Sequence, residues 1–142
     1  MKYSCCHHQN LLHFILELAS YNDFYGHQSG DDCLIQVAQA IAKVPQRAID
    51  LVARYGGEEF AVILPNTNTE GALIIAESMR QAIANLAIPH SSSLVSDRVT
   101  VSLGIASLIP ATNQNLECLI NYADEALYLA KKQGRNQTIA YI

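Results

Sequence analysis

The chain has 142 residues, is 50% hydrophobic, and sets 9 Lys and Arg against 13 Asp and Glu for a net charge of −4. That is enough apolar material for one buried core, and the acidic balance excludes the clustered basic surface that a nucleic-acid partner needs. No apolar stretch approaches the ~18 residues of a membrane span and the start lacks a signal-peptide layout, so the sequence reads as a cytoplasmic domain without membrane contact.

Cys5, Cys6, Cys33 and Cys118 are not spaced as a disulfide framework. Cys5-Cys6-His7-His8 is a run of consecutive residues, which rarely converge on one tetrahedral ion, and it reads as an irregular terminus. Ser29-Gly30-Asp31-Asp32 has capping-box spacing. Leu34, Val37, Ala38 and Ile41 follow at helical spacing, so a helix is expected over 31–44, with Pro45 at its end. Apolar runs over 51–55 and 60–64 flank Gly56-Gly57-Glu58-Glu59, which predicts a hairpin closed by a two-residue Gly-Gly loop, because glycine takes φ > 0 freely. Thr67 and Glu70 form a second capping pattern, and Ala72, Ile75, Ala76, Met79 and Ile83 mark the buried stripe of a helix running to about Leu86.

Residues 89–97 form a polar, serine-rich loop. Over 98–106, Val99, Val101, Leu103 and Ile105 alternate with Thr100, Ser102 and Gly104, which predicts a strand with one apolar and one small-residue face. Small residues either leave room for a ligand or let a helix pack closely. Leu116, Leu119, Ile120, Ala123, Leu127 and Ala130 mark the last long helix, with Gly134 at its cap and a short strand over 138–142. Periodicity alone gives an α+β sandwich. With a strand before the first helix, the order becomes βαββαβ, the ferredoxin-like plan of an antiparallel sheet with helices on one face.

Glu58 and Glu59 lie beside bare glycine backbone, an arrangement that suits a polyphosphate and a divalent cation. Neighbours on a strand point to opposite sides, so one acid can bind metal while the other faces a different group. The plain alternative is an acidic turn on a solvated surface. Asp31 at a helix start is equally a cap, and Asn22 a turn residue. Lys131 and Arg135 equally complement a helix C-terminus, and Arg47 with Asp50 equally makes a surface ion pair.

The run Tyr55-Gly56-Gly57-Glu58-Glu59-Phe60 resembles the signature loop of the GGDEF family, the diguanylate cyclases of bacteria, which tolerates Glu in its third position. The segment from Tyr21-Asn22-Asp23 through Gly26-His27 to Gly30-Asp31-Asp32 resembles the family upstream of that loop. Val99-Thr100-Val101-Ser102-Leu103-Gly104-Ile105-Ala106 does so downstream, as does the closing segment from Ala123-Asp124-Glu125-Ala126-Leu127-Tyr128 to Gly134-Arg135-Asn136. Separate motifs in the right order make the match specific. It covers 21–142 as the GGDEF domain and leaves 1–20 as a divergent or truncated start.

The resemblance implies a palm-type core similar to nucleotidyl cyclases and polymerases. It implies condensation of two GTP into cyclic di-GMP with release of pyrophosphate, Mg²⁺ or Mn²⁺ as cofactor, and a homodimer in which each domain holds one GTP. Glu58 matches the metal-binding acid and Glu59 the acid that deprotonates the 3′-hydroxyl. Gly56 and Gly57 match the phosphate-approaching backbone, Asn22 and Asp31 the guanine-reading pair, and Lys131 and Arg135 the triphosphate contacts. Lys132 reads as solvated. Arg47 and Asp50 match the product-inhibition site, whose further Arg falls here on Ser78, with Arg80 nearby. The family's opening Asp-x-Asp-x-Phe-Lys segment falls on Phe14, Leu16 and Ala19, so two acids and a cation are missing. Two readings follow: a cyclase of impaired rate, or a degenerate domain that binds GTP or cyclic di-GMP without turnover. A third is an α+β domain uninvolved in nucleotide chemistry.

Overall fold

The computed structural model describes residues 9–16, 26–90, 96–108 and 116–141, and side chains throughout these except over 9–16 and at His27 and Leu116. In chain order these residues form β1 (Gln9–Leu16), α1 (His27–Ala42), β2 (Leu51–Gly56), β3 (Glu59–Pro65), α2 (Thr69–Asn85), β4 (Val101–Leu108), α3 (Leu116–Lys132) and β5 (Thr138–Ala140). The strands make one sheet of order β2-β3-β1-β4-β5. β1 is central and antiparallel to both neighbours: Ile15 lies opposite Glu59 on one side and Ser102 on the other. β5 runs parallel to β4, as a strand returning through the α3 crossover can.

The apolar stripes read from the sequence are the buried ones. Val37 and Ile41 of α1, and Ala72, Ala76, Met79 and Ile83 of α2, are fully buried against Val62 and Leu64 of β3 and Leu103 and Ile105 of β4. Fully burying one Leu or Ile side chain is worth about 1.5–3 kcal/mol, so these residues dominate cohesion. Cys33 belongs to the same core, where burial pushes its thiol up to about 11, so it packs as an apolar group. Neither Cys33 nor Cys118 forms a disulfide, and Cys5-Cys6-His7-His8 lies outside the described residues.

The helices are not confined to one face. Leu119 and Ala123 of α3 pack with Ala106, Ala61 and Ile63, on the side of the sheet opposite α1 and α2. The small residues of β4 permit this. A Cβ on Gly104 would lie 2.3 Å from the Ala123 carbonyl oxygen and 2.3 Å from the Leu127 nitrogen, so the small-residue face serves close helix packing there. Every residue from Val101 to Ala106 is consequently buried.

Both capping expectations are corrected. α1 begins at His27 behind Gly26, without a side-chain cap, and the Gly30 N–H already donates to the Gly26 carbonyl at 3.2 Å, so Ser29 sits inside the first turn. α2 is capped by Asn68, whose Oδ1 accepts from the Gly71 N–H at 2.8 Å. Thr67 instead donates to the Pro65 carbonyl at 3.1 Å and accepts from Arg47. No helix among the described residues is long and apolar enough to cross a membrane.

Candidate functional site

The β2–β3 hairpin closes one residue later than expected. Gly56 ends β2 opposite Glu59, so the loop is Gly57-Glu58 rather than Gly56-Gly57. The cause is a bulge: the register shifts between Arg54 and Gly56, which leaves Tyr55 extra and 55% exposed. Gly57 takes φ 44°, the left-handed region that glycine enters without strain. Arg54 Nε donates to the Gly57 carbonyl at 2.8 Å and braces the tip. A Cβ built on Gly56 or Gly57 would meet nothing within 4 Å, so the glycines leave open backbone rather than fill a tight contact. Gly56, Gly57, Glu58 and Glu59 line an open pocket of about 450 Å³. Both acids are half-buried, Glu58 in the turn and Glu59 at the start of β3.

The strand register gathers the other segments at this end of the sheet. Glu59 neighbours Ile15, Ile15 neighbours Ser102, and the adjacent Leu103 neighbours Thr138, where the chain enters β5 after α3. The C-terminal end of α3, with half-buried Lys131, therefore lies on the hairpin-tip side, and half-buried Arg135 follows it. Arg135 takes φ 62°, and its N–H donates to the Ala130 carbonyl at 2.9 Å. Lys132 is exposed, with Nζ 6.0 Å from the Tyr128 ring centroid.

Asp31 lies on α1 in the wall of a second cavity of about 590 Å³, whose apolar sides come from Leu34, Ala38, Val52 and Phe60, with Arg54 at its rim. Apolar walls beside one exposed carboxylate suit a flat ring that offers N–H donors. Asn22 and Ala19 lie outside the described residues; Phe14 and Leu16 are described as backbone of β1, with Phe14 opposite Phe60. Among the described residues no group of three or more His, Cys, Asp or Glu converges for a metal ion.

Arg47 and Asp50 sit at the far end of β2, about 20 Å along the strand from the tip at ~3.3 Å per residue. Arg47 Nη2 meets Asp50 Oδ1 at 2.6 Å, and Arg47 Nε donates to the same carboxylate at 3.1 and 3.2 Å. Nη2 also donates to Thr67 Oγ1 at 2.6 Å. The acid side chain is 3% exposed and the guanidinium side chain 43%, so the arginine is presented and its partner sheltered. They line a cavity of about 700 Å³ with Thr67, Asn68, Ile75 and Ser78. Ser78 thus faces this cavity, its Oγ donating to the Ile74 carbonyl at 2.9 Å. Arg80 does not line it. Arg80 is bound to Glu77, and its Nη1 donates to Asn136 Oδ1 at 3.0 Å. The Arg80 guanidinium, chiefly through its hydrogen bond, holds the Glu77 carboxyl below the usual glutamate range. The roles of Thr67, Arg54 and Arg80 escaped sequence reading; only the position of Asn136 directly after Arg135 hinted at the last.

An α+β domain with its glycine-acid hairpin, a helix-borne carboxylate and a basic helix end at one end of the sheet has the layout of a palm-type domain. The model of the family described as "Diguanylate cyclase, GGDEF domain" matches residues 6–137, which takes in β1. The diguanylate cyclase DgcM of Escherichia coli K12 is 40% identical over 119 residues, 84% of this chain and 27% of that protein. The GGDEF domain of DgcB from Caulobacter crescentus, in complex with c-di-GMP, has a TM-score of 0.82 at 30% identity, covering 95% of this chain and 78% of that one. The active GGEEF domain of a diguanylate cyclase from Vibrio cholerae has a TM-score of 0.80 at 29% identity, covering 95% and 83%. The chain belongs to the GGDEF family. It spans about a quarter of the length of curated relatives it matches, 27% of DgcM and 26% of the response regulator PleD of Caulobacter vibrioides.

Proposed function

We propose that this domain condenses two GTP molecules into cyclic di-GMP, each 3′-hydroxyl attacking the α-phosphate of the other GTP as pyrophosphate leaves. The observation that carries this reading is the gathering of Glu58 and Glu59, Asp31, and the Lys131–Arg135 helix end at one end of the sheet, next to open glycine backbone. Asp31 accepts from the guanine N1–H and 2-amino groups, with Asn22 as its partner. Lys131 and Arg135 bind the triphosphate, which passes the bare backbone of Gly56 and Gly57. Glu59 takes the 3′-hydroxyl proton.

The donor set at the tip is all oxygen, which suits Mg²⁺ or Mn²⁺ held by Glu58 together with substrate phosphates. When bound, such an ion neutralises charge and lowers the hydroxyl pKa. Since each domain holds one GTP, turnover takes two copies face to face. The core is proposed to follow the ferredoxin-like βαββαβ plan, supported by β1 lying between β3 and β4 with β2 outside β3. Arg47 and Asp50 are proposed to bind cyclic di-GMP, weakly because Ser78 supplies no charge to that cavity.

One feature favours the second reading, binding without turnover. Phe14, Leu16 and Ala19 replace the acids and the lysine that the family carries before Asn22. The cyclase reading absorbs this as a lowered rate, because Mg²⁺ sites work with one or two carboxylates plus phosphates. Chromatography of GTP incubated with the protein and Mg²⁺, beside the Glu59→Gln variant, separates the two.

A further inference from the structure

After α3 the backbone runs through three residues in the left-handed region, Gly134 at φ 122°, Arg135 at φ 62° and Asn136 at φ 46°. Two of them are not glycine. Asn enters this region readily, but an arginine persists there only where its surroundings over-determine it. The ties are few. Arg135 N–H meets the Ala130 carbonyl at 2.9 Å, Gln137 Nε2 donates to the Arg135 carbonyl at 3.2 Å, and the Leu103 N–H donates to the Gln137 carbonyl at 3.0 Å. A further tie is a side chain from α2, on the opposite face of the sheet from α3: Arg80 Nη1 donates to Asn136 Oδ1 at 3.0 Å.

Arg80 is itself aimed. Its Nε donates to Glu77 Oε2 at 3.1 Å and its Nη2 to Glu77 Oε1, which leaves Nη1 for Asn136. The Arg80 side chain is 21% exposed against 51% for Glu77, so the arginine is the sheltered member of the pair. A planar guanidinium can grip a carboxylate with one edge and reach a second acceptor with the rest; an ammonium has no such fixed fork. Asn136 adjoins Arg135, so this contact bears on the angle at which Arg135 leaves the helix end.

We infer that Arg80, oriented by Glu77, is a positioning residue for the triphosphate, acting through Asn136 on the backbone that presents Arg135. This rests on the reading of Arg135 as a triphosphate contact. It assigns specificity to the phosphate end and none to the base.

The test is titration calorimetry of the whole chain with GTP and with guanosine, which lacks the phosphates. Arg80→Gln is expected to weaken GTP roughly five- to tenfold, the size of one lost hydrogen bond, and to leave guanosine unchanged. Asn136→Gly removes the acceptor while keeping the left-handed backbone accessible, and is expected to give the same split. Arg80→Lys is expected not to restore GTP affinity. Combined with Arg135→Ala, Arg80→Gln is expected to add no further loss, since both act on one contact. GTP affinity that Arg135→Ala weakens but neither Arg80→Gln nor Asn136→Gly changes would overturn the inference. So would equal loss of GTP and guanosine affinity, the mark of a merely structural residue. If Arg135→Ala itself leaves GTP affinity unchanged, the triphosphate reading fails and the inference falls with it.

Discussion

Replacing Gly104 by Ala tests the close approach of α3 to β4 and its link to the site. The new Cβ would stand 2.3 Å from the Ala123 oxygen and the Leu127 nitrogen and 2.8 Å from the Leu127 Cα. All three are backbone atoms, so no side-chain rotation relieves them. Ordinary contact lies near 3.5 Å, so α3 must retreat from β4 by about 1 Å. Overpacking of this kind costs about 1–3 kcal/mol, which for a chain of this length lowers the melting midpoint by about 3–12 °C. The same displacement carries Lys131 at the end of α3. GTP affinity is therefore expected to fall along with stability, while the Arg47–Asp50 cavity, built from α2 and the approach to β2, keeps its ligand affinity. Thermal unfolding followed by circular dichroism, with calorimetry on the folded variant, reads both. A midpoint within about 1 °C of wild type would refute the account of why β4 carries small residues on that face.

Asp31→Ala is expected to weaken GTP binding by about 1.5–3 kcal/mol, the worth of a hydrogen bond to a charged group, and to leave ATP binding poor in both proteins; equal GTP affinity by calorimetry would remove Asp31 from the base site. Arg47→Ala is expected to abolish binding of cyclic di-GMP at the far end of β2, and superimposable titrations of variant and wild type would eliminate that site. Glu77 supplies a pH test. Its carboxyl is held below the ordinary 4.5, so its contribution to stability is full above that value and disappears as pH falls through the lowered folded value. The stability difference between wild type and Glu77→Gln should therefore shrink on acidification below about pH 4.5, and a difference constant from neutral pH down to acid would contradict the Arg80 contact as its cause.

Element types were legible because apolar spacing reports which residues must leave water. Val37 with Ile41, Met79 with Ile83, and Leu103 with Ile105 fix two helices and a strand, and all are buried. Periodicity carries no information about which face of a sheet a helix covers, so the expectation of helices on one face fails at α3, which packs opposite the others. The hairpin was visible in its glycines, but its closing residues depended on the bulge at Tyr55, which shifts register without any signal in composition. Thr67 and Asn68 are adjacent and chemically alike as caps; Asn68 takes the position, while Thr67 accepts from Arg47. Arg80 with Asn136, and Arg47 with Thr67, join residues distant in sequence, and no local pattern announces such pairs. β1 is the opposite case. Its motif residues are absent, so the sequence resemblance begins only at Tyr21, yet Gln9–Leu16 forms the central strand and lies inside the family match over 6–137.

The central claim is that the Gly57-Glu58 turn and Glu59 act on GTP, and product analysis tests it most directly. The protein is incubated with GTP and Mg²⁺ or Mn²⁺ at high protein concentration, so that two copies can meet, and nucleotides are separated by chromatography. The account predicts slow formation of cyclic di-GMP with two pyrophosphates per product, lost in Glu59→Gln while GTP binding persists. Cyclic di-GMP formed at the same rate by Glu59→Gln, or none formed by the unmodified chain, would contradict it.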